Sequence, residues 1–584
     1  MSVVTLRARI RDVLLPLGVA LGLAGAVWLW GAGSADRIVP VTPVGAGTAT
    51  SSPTPTPPPG PFGTPLSIPP VITSADASIS MEEACVQILP GPCTNLWTYD
   101  GIFPGPTIRR PTGQATSVTF TNNLPVAAGE MTVHHHGNHS SPENDGQPHH
   151  HLIPAGQSLT YSYEHMENGG PERGATQWYH DHRMDVTGRN VWNGLAGMYI
   201  LDDPADAATL PSGAFEVPLI VMDRQFDANN QIPYTFSSNG VTGTTQLVNG
   251  VYQPFLEVGD RKYRFRILDA SNARVYDLSL SNGSSFTQVG TESGLLPAPV
   301  NRTQMLISPS ERLDVVIDFA GLLGQTLYLR DERSGINLME IRVTQDLVDD
   351  SAVPATLRSL ADLGEPIVTR TFTFSRVFGK WVINNKSFNP DRVDAFPVLG
   401  STEKWILQTS TLDGGALHAI HIHDVDQQCL SRNGAPCPAY EVNKEAWLMQ
   451  PGDVLEIKLK FSDHLGAYMF HCHFLEHEDD GMMSQFEVLG PTPSPAATGT
   501  PTATPAGTAS PSPAPTPTPE PTLSATQTPA GTVVPATLTP TAAPVSLPNT
   551  GGASYPQATV GIALALAVSA LAAGVAASVV LARR

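Results

Sequence analysis

Three textures alternate along this chain of 584 residues. Apolar runs stand near both ends, at 13–30 and 560–582. Inside them lie two stretches rich in Pro, Thr, Ala and Ser, at 36–70 and 491–546. The middle, 71–490, is dense in Val, Thr, Ile and Phe and is punctuated by Gly and Pro, and it carries little helical periodicity. That pattern predicts short strands packed as β-sandwiches, an all-β protein. A faint repeat divides the middle: Asp100-Gly101 leads to Pro106, Asn249-Gly250 to Pro254, and Asn384-Asn385 to Pro390. Each is followed by a β-rich stretch, so three sandwich domains are expected, at 71–205, 206–350 and 351–490.

The ends predict where the protein lives. Arg7, Arg9 and Arg11 precede the first apolar run, and Gly33-Ser34-Ala35 follows it. Residues 1–35 read as a signal peptide cut after Ala35, with an uncleaved membrane anchor as the alternative. Residues 36–70 are expected to be a disordered leader and 491–546 an extended stalk, because such compositions bury no core. Residues 547–584 hold Leu547-Pro548-Asn549-Thr550-Gly551, then the second apolar run, then Arg583-Arg584. This order resembles an LPXTG-type cell-wall sorting signal, which implies sortase cleavage between Thr550 and Gly551 and attachment to peptidoglycan. The apolar run would hold the chain in the membrane before sorting, and the arginines would stay inside. A plain tail anchor is the alternative, and both place the middle of the chain outside the cell.

Formal net charge is −20, which argues against a nucleic-acid partner. Five cysteines leave one odd. Close spacing in an exported chain favours disulfides Cys85–Cys93 and Cys429–Cys437, with cross-pairing left open. Cys472 remains.

Cys472 stands in His471-Cys472-His473-Phe474-Leu475-Glu476-His477, with Met482 five residues on. Neighbouring strand residues face opposite ways, so Cys472 points away from His471 and His473. A thiolate with two imidazoles and a weak thioether makes a blue-copper site, supplied by Cys472, His477 and Met482. In His418-Ala419-Ile420-His421-Ile422-His423, parity sets His418 apart from His421 and His423, so His418 joins the thiolate. His134-His135-His136 and His180-Asp181-His182 each add two imidazoles on one face. The second pool is then His134, His136, His180, His182, His421, His423, His471 and His473, which suits three ions better than one. His135, His139, His149, His150, His151, His165 and His464 fall outside these sets and are expected at the surface.

In order and spacing these four motifs resemble the multicopper oxidase family. Gln177-Trp178-Tyr179-His180-Asp181-His182, Gly194-Leu195-Ala196-Gly197, Arg264-Phe265-Arg266-Ile267 and Leu475-Glu476-His477-Glu478-Asp479 resemble spore-coat-type bacterial laccases, bilirubin oxidase and phenoxazinone synthase. The resemblance implies three cupredoxin-like Greek-key domains and four copper ions. Type 1 would be held by His418, Cys472, His477 and Met482, and type 2 by His134 and His421. The type 3 pair would be held by His136, His180, His182, His423, His471 and His473. It also implies that Asp145 and Glu478 assist proton delivery, though both suit a plainer role as hydrogen-bonding partners of ligand histidines.

The activity implied is laccase-like: one-electron oxidation of phenols or aromatic amines, coupled to reduction of O2 to water. The partners are O2 and a small reducing substrate, and the protein is expected to be monomeric. Alternatives are a bilirubin oxidase-like enzyme, a metallo-oxidase of Cu(I), Fe(II) or Mn(II), or a wall-bound copper-sequestering protein without turnover.

Overall fold

The computed structural model describes residues 61–206 and 209–491. The signal region, both terminal apolar runs, the stalk from 492 and the Thr550–Gly551 junction lie outside the described residues. No helix among the described residues is long and apolar enough to cross a membrane.

Six sheets form the body, in three pairs that follow one another along the chain. The first pair uses strands between Val71 and Asp202, the second strands between Glu216 and Gln345, the third strands between Val368 and Val488. Each pair encloses its own apolar core, with Phe120 and Tyr161 in the first, Phe265 and Leu329 in the second, and Trp405 and Phe470 in the third. Parallel neighbours recur in all three: Asp76–Val86 with Thr116–Asn122, Glu216–Arg224 with Lys262–Asp269, and Val368–Val377 with Thr402–Thr409. Such pairs need crossover connections, which a simple up-and-down meander lacks.

The sequence repeat has a backbone cause. Asp100-Gly101, Asn249-Gly250 and Asn384-Asn385 all have positive φ at both positions. Each closes a two-residue hairpin, between Tyr99 and Ile102, Val248 and Val251, and Ile383 and Lys386. Left-handed turns of this kind match the twist of the flanking strands and favour Asn, Asp and Gly.

Outer strands alternate as the pattern predicts. In Thr116–Asn122 every second residue is buried, including Val118 and Phe120. The strands carrying histidines differ. Val133–His136, Ala175–Asp181 and His418–Ile422 are buried at every position, because both faces are covered. Two-faced burial erases alternation and leaves a continuous run.

Residues 61–70 depart from the expected loose leader. Phe62 and Leu66 donate backbone hydrogen bonds to Gln253 and Phe255, at 2.8 and 2.7 Å, and so strap this segment to the second sheet pair.

A buried ion cluster joins the first two sheet pairs. Lys262–Asp269 turns Phe265 and Ile267 into the second core and Arg264 and Arg266 away from it. Arg266 pairs with Glu216 and donates to Thr176 Oγ1 at 2.9 Å, and Arg109 reaches Glu216 at 2.7 Å. Burial alone would raise the Glu216 carboxyl, but the Arg266, Arg264 and Arg109 guanidiniums win and bring it down to about 2. A depressed carboxyl stabilises the fold above its ordinary pKa, and that contribution is lost as pH falls through the folded value. Glu216→Gln should therefore lower stability by about 3–5 kcal/mol, because it removes the buried charge shared by three arginines and leaves Arg266 only Asp314, at 3.6 Å, as a counter-charge. In thermal unfolding followed by calorimetry, its deficit against the parent should be constant above about pH 5 and shrink on acidification.

Candidate metal centre

Cys472 ends the strand Gly466–Cys472, which lies between His418–Ile422 and Met483–Val488. The register sets Ile420 opposite Cys472 and His421 opposite His471. The chain then turns through the short helix Leu475–Asp479, which carries His477 back towards the cysteine. Cys472 Sγ lies 3.6 Å from His418 Nδ1 and 3.5 Å from His477 Nδ1. Met482 is fully buried in the same core cluster, and its carbonyl accepts the Cys472 backbone N–H at 3.0 Å.

Burial pushes the Cys472 thiol up to about 12 and brings His418 down to about 4. Two neutral imidazoles thus aim lone pairs at a sulfur that stays protonated unless a cation replaces the proton. A coordinating metal does so outright, and the donor set of one sulfur and two imidazoles suits copper.

On the other face of that strand lie eight imidazoles. His134 and His136 come from Val133–His136, and His180 from Ala175–Asp181, where it sits opposite His134. His182, His423 and His473 each follow closely on a strand end, and His421 and His471 lie within strands. All eight are 0–1% exposed. The His134 and His423 rings stack at 4.0 Å and those of His136 and His421 at 3.7 Å.

Oxygen atoms lie against the outer nitrogens of six of them, all but His136 and His473. His134, His180 and His421 donate Nδ1–H to the backbone oxygens of Asp145, Asp181 and Glu445, at 2.6, 2.8 and 3.1 Å. His423 donates to Asp145 Oδ2 at 2.8 Å. His182 and His471 lie 3.2 and 3.1 Å from the two oxygens of Glu478. A carbonyl only accepts, so these contacts put the proton on Nδ1 and leave a lone pair on Nε2. Nε2 of His134, His180, His182 and His421 has no partner among the described residues. Burial first, then neighbouring rings, keeps His180, His421 and His473 far below the ordinary imidazole range, so these rings are neutral. Converging lone pairs without protons call for cations, and the triads His134/His136/His180, His134/His421/His423 and His182/His423/His471 each fit one.

Asp145 and Glu478 take the bridging positions the sequence pointed to, Asp145 between His134 and His423, Glu478 between His182 and His471. Burial opposes both charges, but the imidazoles outweigh it and hold both carboxyls well below their usual range. Thr187 also donates to Glu478 Oε1 at 2.8 Å.

Other residues were not singled out by the sequence. Glu445 Oε1 lies 3.2 Å from His136 Nε2 and pairs with the fully buried Arg312 of the second sheet pair. Trp178 stacks on His180 and Trp381 on His477, each at 4.1 Å. No motif marks Glu445 or Arg312. A pocket of about 370 Å3 reaches His477, between Trp381, Phe474, Leu417, Arg376 and Asp413. His477 lines this pocket and His418 does not.

Three histidines expected at the surface are buried. His135 alternates with its neighbours and turns into the first core, 3.9 Å from the Tyr199 ring. His165 meets the Tyr199 hydroxyl at 2.8 Å, and His139 meets Asp463 at 2.9 Å. The parity that placed His134 and His136 already required His135 to face the core. His150 and His151 are exposed, and His149 and His464 half-buried. The disulfides Cys85–Cys93 and Cys429–Cys437 form as spacing suggested, and Cys472 is the one free cysteine.

The multicopper oxidase family profiles match residues 80–206 and 359–491, the segments that carry both ligand sets. The chain is 32% identical over 486 residues to a laccase of Bacillus subtilis, covering 71% of this chain and 94% of that protein. It is 35% identical over 422 residues to a bilirubin oxidase of Albifimbria verrucaria, covering 66% and 72%. Among solved structures, a laccase from Pediococcus acidilactici superposes with a TM-score of 0.68 at 29% identity, covering 73% of this chain and 93% of that one. Sheet pairs, a cysteine-centred pole and a histidine cluster between the first and last pairs thus coincide with shared ancestry, and the chain belongs to the multicopper oxidase family. It is a copper oxidoreductase that uses O2 and a reducing substrate.

Cys472→Ser should abolish the intense visible charge-transfer band of the copper-loaded protein and its phenol-dependent oxygen uptake. Asp145→Asn keeps the size of the side chain but loses the acceptor charge between His134 and His423. It should weaken copper retention or activity by about 10–100-fold, read by metal analysis after dialysis against a chelator.

Proposed function

We propose that the chain is a laccase-like oxidase holding four copper ions. Type 1 takes His418, Cys472, His477 and Met482, type 2 takes His134 and His421, and the type 3 pair takes His136, His180, His182, His423, His471 and His473. One observation carries this reading: Cys472 Sγ faces two Nδ1 atoms at 3.5–3.6 Å while its chain neighbours His471 and His473 belong to the imidazole cluster.

Copper at these positions supplies one-electron acceptance at the sulfur and four-electron reduction of O2 to water at the imidazole cluster. The protein's own groups do the rest. The pocket presents the His477 ring beside Trp381 and Phe474, so a flat donor stacks there with its oxidisable edge at the imidazole. Cys472 is joined by backbone bonds to His471 and His473, so the residue that would hold type 1 copper is covalently continuous with two that would hold the type 3 pair. Asp145 and Glu478 fix the tautomers of four cluster imidazoles and stand ready to hand protons to the centre.

Trp381, Phe474 and Leu417 beside His477 support phenols and aromatic amines over metal ions as donors, with Asn239, Arg376 and Asp413 as polar groups for a hydroxyl or amine. A methionine-rich insert, which would suit Cu(I), is missing from the sequence. The terminal segments support an exported protein anchored to peptidoglycan through Thr550, checked by mass spectrometry of wall digests for Thr550 joined to a wall peptide.

Copper-loaded protein should take up oxygen rapidly with a phenol such as 2,6-dimethoxyphenol and at least about tenfold more slowly with Fe(II) or Cu(I), in proportion to donor complementarity. An oxygen electrode decides the matter. Faster uptake with a metal ion would make the chain a metallo-oxidase, and no uptake with any donor would leave copper sequestration.

A further inference from the structure

The cluster imidazoles are sealed from solvent, yet O2 reduction consumes protons there. Asp145 and Glu478 touch four of the imidazoles, and the side facing His136 has different surroundings. A cavity of about 30 Å3 lies there, between Glu445 at its inner end and Glu167 and His139 at its outer end. The inner end meets the centre, since Glu445 Oε1 is 3.2 Å from His136 Nε2. The outer end lies farther from the cluster imidazoles, where Glu167 is 4.0 Å from His139 Nε2; side-chain exposure is similar at both ends, 12% for Glu167, 9% for His139 and 10% for Glu445. Between them stands Glu172, whose side chain is only 3% exposed.

The polar atoms around this space do not satisfy one another. Glu172 Oε1 accepts from Gln177 Nε2 at 2.5 Å, and the same Nε2 donates to the carbonyl of Gly137, next in sequence to His136, at 2.6 Å. Glu172 Oε2, Gln177 Oε1, Glu292 Oε2 and Arg173 Nε have no partner among the described residues. These acceptors and one donor are the setting in which buried water is held, and the volume suits about two molecules. Of the other carboxylates here, Glu445 pairs with Arg312, Glu292 Oε1 lies 3.3 Å from Lys444, Asp426 accepts from Asn168 at 2.5 Å, and Glu167 lies 4.0 Å from His139 Nε2.

The geometry points to this cavity as a proton antechamber of the cluster, with the Glu172 carboxyl passing protons from the Glu167–His139 end towards the edge of the centre beside Glu445. This rests on oxygen reduction at that cluster. Each O2 takes four electrons and four protons and yields two waters. In each transfer the Glu172 O–H bond breaks towards a cavity water, and the carboxylate then regains a proton from the outer end. Glu172 is unchanged over a turnover. It touches no imidazole of the cluster, so its part is distinct from those of Asp145 and Glu478.

The groups facing Glu172 are His165, Glu167 and Arg173 from its own segment, and His139, Asp426 and Asp463 from neighbouring elements. Burial pushes Glu172 up to about 8, against the opposing pull of His139 and Gln177. The carboxyl therefore keeps its proton near neutral pH and gives it up as pH rises through that value.

The test uses the copper-loaded full chain, its Glu172→Gln variant and, as a control that keeps a carboxyl, Glu172→Asp. Infrared spectroscopy should show the C=O band of a protonated buried carboxyl, shifted in 2H2O and missing from Glu172→Gln. Anaerobic bleaching of the visible band by a phenol should be unchanged in that variant. Its oxygen consumption should fall roughly a hundredfold, the low end of what a positioned proton-transfer group contributes. Its solvent deuterium isotope effect should rise, and the parent's loss of rate above about pH 8 should vanish. Glu172→Asp should restore the band and most of the rate. Because Glu167, Asp269 and Asp479 are also pushed up by burial, the reading is the parent-minus-variant difference. A carboxyl C=O intensity unchanged in Glu172→Gln overturns the proposal, as does a parental rate and isotope effect once that intensity is lost. A parent that consumes no oxygen with any donor overturns the oxidase reading as well, whereas a normal parent beside an unaffected Glu172→Gln overturns the antechamber alone.

Discussion

Everything in this molecule is arranged around imidazole nitrogens that must keep a lone pair free while fully buried. A buried histidine without partners is costly, and a protonated one more so. The fold resolves this by giving the outer nitrogen of most cluster rings an oxygen, backbone for His134, His180 and His421, carboxylate for His423. Once that nitrogen holds the proton, the inner one has nothing to bind but a cation. Asp145 and Glu478 serve two rings each, so two side chains settle the tautomers of four.

The same requirement explains the three sheet pairs. Ligands from the first and third face each other, and neither could line the centre alone. The second pair supplies no imidazole to the cluster, yet it reaches that centre. Arg312 from this pair enters the junction, donates to the Thr176 carbonyl at 2.8 Å and pairs with Glu445, which touches His136. One guanidinium thus bridges all three parts beside the cluster.

Much of this was legible in the residues. Period-two parity sorted Cys472 and His418 from the other eight ligands, because strand geometry leaves no other choice. The repeated Asx dipeptides were visible as a repeat and are now explained as positive-φ hairpins. Other features had no local signature. Glu445 and Arg312 are ordinary residues made important by contacts across 133 positions of sequence. The Pro- and Thr-rich composition of a leader hid the strap at Phe62 and Leu66, since its partners, Gln253 and Phe255, are remote. His135 was read as a surface residue because polarity was weighed and burial on both strand faces was not, and His139 and His165 because they lie between strands, where nothing local shows that Asp463 and Tyr199 cover them.

The two disulfides each close over a separation of only eight residues, and both pairs precede Cys472 in the chain. A polypeptide emerging from its N-terminal end can therefore complete each bridge locally before the fifth sulfur appears. Once both bridges have closed, Cys472 has no unpaired thiol to scramble with. Short loops thus act as chaperones of redox chemistry, reserving the last cysteine for its metal.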